Sequence, residues 1–71
     1  MVSKFNNIEI AELENIGCKC TPYCGYKDDL FFSIDNKKGI ILDYYKEKDG
    51  KIVDIITVED ITFEELKDKL T

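Results

Sequence analysis

A chain of 71 residues carrying a formal charge of −5 has room for one domain, residues 1–71, and not for two hydrophobic cores. Apolar residues at 44% and charged residues at 35% are the proportions of a folded chain rather than a disordered one. The acid excess works against direct binding of nucleic acid and against an anionic membrane surface, because both need basic side chains. A protein partner with a basic surface is the natural counterpart.

The N-terminal segment is ambiguous between helix and strand. Phe5, Ile8, Ile10, Ala11, Leu13 and Ile16 are apolar but scatter around a helical wheel. Ile8-Glu9-Ile10 alternates as a strand would, whereas a helix from about Asn7 to Ile16, capped by Asn7 and stopped by Gly17, fits as well. In either form, residues 5–16 are expected to cover part of the second face of the sheet that follows.

Residues 17–29 hold the only Pro, two of the four Gly and all three cysteines, so a loop is expected there. No secretory h-region is read at the start, so a cytoplasmic location is the expectation, in which the cysteines would be thiols. Three thiols within seven residues, Cys18, Cys20 and Cys24, form a candidate zinc or iron thiolate site. Tetrahedral zinc wants four ligands, and the chain has no His and no fourth Cys. Asp28, water or a cysteine from a second subunit would have to complete the set. The run Cys20-Thr21-Pro22-Tyr23-Cys24 resembles the Cys-Pro-Tyr-Cys site of glutaredoxins, which would imply thiol–disulfide exchange. It departs from that pattern by one inserted residue, and no helix start follows it.

Leu30 to Val58 reads as a three-stranded antiparallel meander with strands at about 30–35, 40–46 and 51–58. Two turns ending in Gly39 and Gly50 suit three-residue loops closed by a left-handed glycine. That geometry sets Asn36 opposite Ile40, Phe32 opposite Tyr44, Glu47 opposite Lys51 and Ile56 opposite Leu42. Even-numbered residues then share a core face: Leu30, Phe32, Ile34, Ile40, Leu42, Tyr44, Ile52, Ile56 and Val58, interrupted by Asp54. Odd-numbered Phe31, Ile41, Tyr45, Val53 and Ile55, mixed with Ser33, Asp35, Asp43 and Thr57, make the other face.

A C-terminal helix is expected at about 62–70. Thr62 and Glu65 form a capping box, Ile61 and Leu66 a hydrophobic staple, and Phe63, Leu66 and Leu70 one apolar stripe. The whole is a small two-layer α+β domain.

Catalytic chemistry is sparse. The absence of His removes the commonest general base, and the absence of Arg removes any bidentate anion clamp. No phosphate-binding glycine loop or nucleophile elbow occurs, so no enzymatic activity is expected. The leading expectation is an acidic cytosolic interaction module or inhibitor, one that masks a basic nucleic-acid-binding surface of its partner. Phe31, Tyr45 and Val53, with Asp35 and Asp43 beside them, are the candidate partner-binding residues. The alternative is a metal-stabilised domain, as a monomer or a homodimer, using Cys18, Cys20 and Cys24 as thiolate ligands.

Overall fold

The computed structural model describes residues 4–71; residues 1–3 of the expected single domain lie outside the described residues. The N-terminal segment is helical, α1 (Asn7–Asn15), and its cap is Asn6 rather than Asn7. Asn6 Oδ1 accepts the Glu9 N–H at 2.8 Å while Glu9 Oε1 accepts the Asn6 N–H at 3.0 Å. That reciprocal pair satisfies two of the free donors at the helix start. The helix ends in a Schellman motif: Gly17 at φ 100 donates to Glu14 O, and Cys18 donates to Leu13 O, both at 3.0 Å. Ile10, Leu13 and Ile16 form its inward stripe at spacings of three, and Ile8 lies on the opposite side, 74% exposed. The scatter on the helical wheel came from Ile8.

The expected loop over residues 17–29 is instead a pair of strands, β1 (Lys19–Cys20) and β2 (Cys24–Lys27). Thr21 and Pro22 belong to the turn between them, where Thr21 Oγ1 accepts the N–H groups of Tyr23 and Cys24, each at 3.2 Å. Gly25 breaks nothing. A Cβ there would come within 2.4 Å of Phe32 Cζ and 2.6 Å of Cys20 Cβ, so the glycine makes room for the Phe32 ring to cross the strand.

The three expected strands follow as β3 (Leu30–Asp35), β4 (Gly39–Lys48) and β5 (Lys51–Ile61). The sheet therefore has five antiparallel strands among the described residues, in the order β1-β2-β3-β4-β5, and not three. Face assignments survive except at Ile52 and Val53, but both registers shift. Asp35 pairs with Gly39, so Phe32 faces Leu42 and Ile34 faces Ile40. The cause is the Asp35 carboxylate, which accepts the N–H groups of Lys37 and Lys38 at 2.7 and 3.0 Å and starts the turn one residue early.

The second hairpin closes through two residues, Asp49 and Gly50, at φ 54 and 76, the positive pair of a type I′ turn. This pairs Lys48 with Lys51 and throws Ile52 off the core face until a bulge at Val53 restores the parity. Tyr45 then meets Ile55, Tyr44 meets Ile56 and Leu42 meets Val58. A second irregularity at Asp60 (φ 54), whose N–H donates to Lys38 O at 2.9 Å, turns Ile61 inward opposite Ile40.

Helix α2 (Phe63–Leu70) carries the expected capping box: Thr62 Oγ1 accepts the Glu65 N–H at 3.1 Å, and Glu65 Oε1 accepts the Thr62 N–H at 3.2 Å. Ile61 and Leu66, the staple positions, are both buried. At the far end Lys27 Nζ donates to Leu70 O at 2.6 Å, placing a cation on the negative end of the helix and tying it to β2. Lys67 lies 3.5 Å from Glu12 and 3.2 Å from Glu64, bridging the two helices at the surface.

Phe5, Leu13, Cys18, Phe32, Ile40, Leu42, Ile61, Leu66 and Leu70 form one core cluster. The sheet contributes its even face and Ile61, the helices contribute Leu13, Leu66 and Leu70, and the segments flanking α1 contribute Phe5 and Cys18. Two layers result, with every described helix on one side.

Candidate functional site

Since α1 and α2 both pack on the even face, the odd face has no layer over it. The expectation that residues 5–16 cover it is overturned: Phe5 stacks edge-on to Phe32 at 5.8 Å, and Leu13 is fully buried in the same core. The reason is the distribution of apolar side chains. Phe5, Leu13 and the stripe of α2 close one continuous core with Phe32 and Leu42, a larger apolar contact than the half-polar odd face could return.

The exposed face is organised by the register. Tyr26 pairs with Phe31, which pairs with Asp43, which pairs with Thr57, so these four form one row across β2 to β5. Tyr45 and Ile55 form the next row. The rings touch in sequence: Tyr26 and Phe31 have centroids 6.0 Å apart, and Phe31 and Tyr45 meet edge to face at 5.5 Å. Phe31 is 38% and Ile55 57% exposed. Thr57 Oγ1 donates to Asp43 Oδ1 at 2.6 Å, which fixes the carboxylate of a half-buried residue. A hollow of about 240 Å³ opens beside it, lined by Cys24, Tyr26, Phe31, Ser33 and Asp43 among others.

Of the five residues expected to bind a partner, three come together: Phe31, Asp43 and Tyr45. Asp35 is placed at the end of the face with its carboxylate turned to the loop. The Lys37 and then the Lys38 N–H hold its pKa below the usual 3.8. It is a turn-forming residue. Val53 does not align with Tyr45, because it is the bulged residue, and Ile55 occupies that position. Tyr26 and Ile55 are the residues the sequence reading missed. The Asp49-Gly50 dipeptide, a two-residue hairpin signal, gives the Lys48–Lys51 pairing, and the bulge at Val53 then brings Ile55 opposite Tyr45.

The cysteines diverge. Cys18 is buried beneath α1; Cys20 lies on the core side with Sγ 3.9 Å from Ile10 O; Cys24 is exposed on the odd face, 3.6 Å from Thr21 Oγ1. Burial pushes the Cys18 thiol up, with Cys20 adding to it and Lys27 opposing; burial, then Glu14 and Cys24, raise Cys20. Neither change favours the thiolate that metal binding or exchange needs. Among the described residues, no three His, Cys, Asp or Glu side chains stand where they could hold a metal ion. The three thiols are therefore not gathered into a metal-binding set, and Cys20 and Cys24 lie on opposite faces of the sheet.

A second concavity of about 630 Å³ lies between the starts of the two helices, floored by Ile34, Ile40, Ile61 and Phe63. Among the described residues no helix is long and apolar enough to cross a membrane. Comparison with protein-family models, curated proteins and solved structures finds no match.

Proposed function

We propose that this chain is a small cytosolic interaction module that docks its uncovered sheet face on a cationic surface of another protein. One observation carries the proposal: both helices cover the even face and leave Tyr26, Phe31, Tyr45 and Ile55 in a contiguous apolar patch over two rows of the other. Aromatic side chains held rigid by a sheet and surrounded by polar groups are the usual anchors of protein interfaces. By register the same face bears Asp43, Glu47 and Glu59, with Asp35 at its end, against Lys19 and the Lys38 ammonium, which lies 3.6 Å from Glu59; the acidic excess that remains makes it complementary to basic surface. Where that basic surface binds nucleic acid, docking makes the module an inhibitor.

Self-association fits less well. Two copies packed face to face would oppose like charges. Pairing through the β5 edge is also obstructed. The two-residue turn makes Lys48 and Lys51 a hydrogen-bonded pair, and alternation past the bulge turns the Ile55 N–H outward. Asp54 Oδ1 occupies that N–H at 2.8 Å, and the bulges at Val53 and Asp60 break the edge on either side.

The test is capture of partners by the immobilised chain and by a Phe31→Ser, Tyr45→Ser, Ile55→Ser variant with an unchanged fold. A partner held by the native chain should be lost by the variant, and its retention should weaken as salt rises from ~50 to ~300 mM. Equal capture by both chains would refute docking through this face.

A further inference from the structure

Resting on the reading of the odd face as a docking surface, we infer that the hollow beside Phe31 is a seat for one arginine side chain of the partner. Its wall is aromatic: the Tyr26 and Phe31 rings lie 6.0 Å apart between centroids and are tilted by 31°. Its polar groups are the Ser33 hydroxyl and the Asp43 carboxylate. Thr57 takes Oδ1 of Asp43 at 2.6 Å, and no donor from the described residues reaches Oδ2. One oxygen thus anchors the carboxylate to β5 while the other remains for a ligand.

The ligand class follows from these groups. An anion is repelled by Asp43. A neutral apolar side chain would fill the hollow but desolvate the half-buried carboxylate without returning a hydrogen bond, which costs more than the apolar contact gains. A cation is required. Lysine supplies the charge as a strongly hydrated point that cannot lie flat on a ring. Arginine supplies a plane whose face stacks on Phe31 and Tyr26 while its edge donates to Asp43 and Ser33 together. At about 240 Å³ the hollow takes one long side chain rather than a peptide segment. Glu47 elsewhere on the face favours approach of a basic partner but does not line this hollow, and Glu59 is ion-paired with Lys38 at 3.6 Å.

The test is an amide NMR titration of the full chain with blocked glycine–X–glycine tripeptides, where X is arginine, lysine or the uncharged isostere citrulline. The arginine peptide should shift the amides of residues 24–33 and 43. Its apparent affinity should exceed that of the lysine peptide by about two- to fivefold, the cation–π difference at an exposed site, and citrulline should not bind. Asp43→Asn, which keeps the shape and can still accept from Thr57, should abolish the response. Phe31→Leu should retain weak binding but lose the preference for arginine. Equal affinity for lysine, or a response unchanged in Asp43→Asn, would overturn the seat, as would the absence of localised shifts. The docking face is judged separately: partner capture lost in Ile55→Ser but intact in Asp43→Asn would remove the arginine seat and leave the face. Capture indifferent to both would remove the face.

Discussion

The proposal requires that the two faces of one sheet differ in what they contribute to stability, and a pair of substitutions on facing strands measures this. Leu42 on β4 is fully buried at the centre of the core, where truncation to Ala removes contacts and leaves a cavity. The expected cost is about 2–5 kcal/mol. A domain of this size has a total stability of roughly 4–11 kcal/mol, at about 0.05–0.15 kcal/mol per residue, so Leu42→Ala should remove about a fifth of it or more. At about 4 °C or more per kcal/mol, Tm should fall by at least ~8 °C. Ile55 on β5 is 57% exposed. Full burial of such a side chain is worth about 1.5–3 kcal/mol, and less than half of its surface is withdrawn from water, so Ile55→Thr should cost about 1 kcal/mol or less. Thr is chosen because it keeps the β-branch that strands favour. Urea unfolding followed by far-UV circular dichroism gives both values directly. If Ile55→Thr cost as much as Leu42→Ala, the odd face would be covered in solution and the docking reading would fall.

Other expectations concern the elements that set this sidedness. Gly25→Ala should destabilise by about 1–3 kcal/mol in the same unfolding assay, because the added methyl meets Phe32, Cys20 and, at 2.8 Å, the Lys19 carbonyl oxygen. Asn6→Ala and Thr62→Ala should each cost about 1 kcal/mol, through the loss of a capping box, and lower the helical circular dichroism signal. In the native state a thiol reagent should modify Cys24 first, Cys20 slowly and Cys18 only on unfolding, as mass mapping of the labelled peptides would reveal. The folded pKa of Asp35 lies below its ordinary 3.8, so its contribution is fully present above that value and is lost as pH falls through the folded pKa. The drop in stability between pH 5 and pH 2 should therefore be smaller in Asp35→Asn than in the native chain.

How much of this was legible in the sequence varied with the range of the interaction that decides it. Helix α2 was readable to the residue, because Thr62, Glu65, Ile61 and Leu66 act within five positions of one another. Parity of the meander was readable because one face had to be apolar, and a two-residue register shift leaves parity intact. The exact pairing was not, since it depends on whether Asp35 folds back on its own loop and on whether Asp49 accepts a positive φ. Strands β1 and β2 were hidden because Pro22 and Gly25 read locally as breakers. Their tolerance rests on a turn closed by Thr21 and on the distant Phe32 ring. The placement of α1 was not readable either. Its apolar stripe is narrow, and only the assembled sheet decides which face offers the larger contact. Of the candidate face, Phe31, Asp43 and Tyr45 followed from parity; Ile55 and Tyr26 required the bulge and the hidden strand.

The long hairpin of β4 and β5 gives the uncovered face its reach. β3 pairs with β4 only as far as Tyr44, so residues 45–48 and 51–55 pair only with each other and extend past the core. Ile52, Val53 and Ile55, each 57% exposed, are carried on that extension. A two-stranded ribbon alone is marginal in water, and here it stands because its inner half is part of the five-stranded sheet. Apolar residues on a projecting ribbon add little to the core that would explain them. They do enlarge the face. The two larger dimensions of the molecule, 38 and 27 Å, outline an area on the order of 1,000 Å², and a standard protein interface needs about 800 Å² from each partner. Asp54 and the bulge at Val53, both on the ribbon, obstruct edge pairing while leaving the face of Tyr45 and Ile55 open. On the proposed reading, the ribbon presents a docking surface while its bulges and Asp54 keep its edge from pairing.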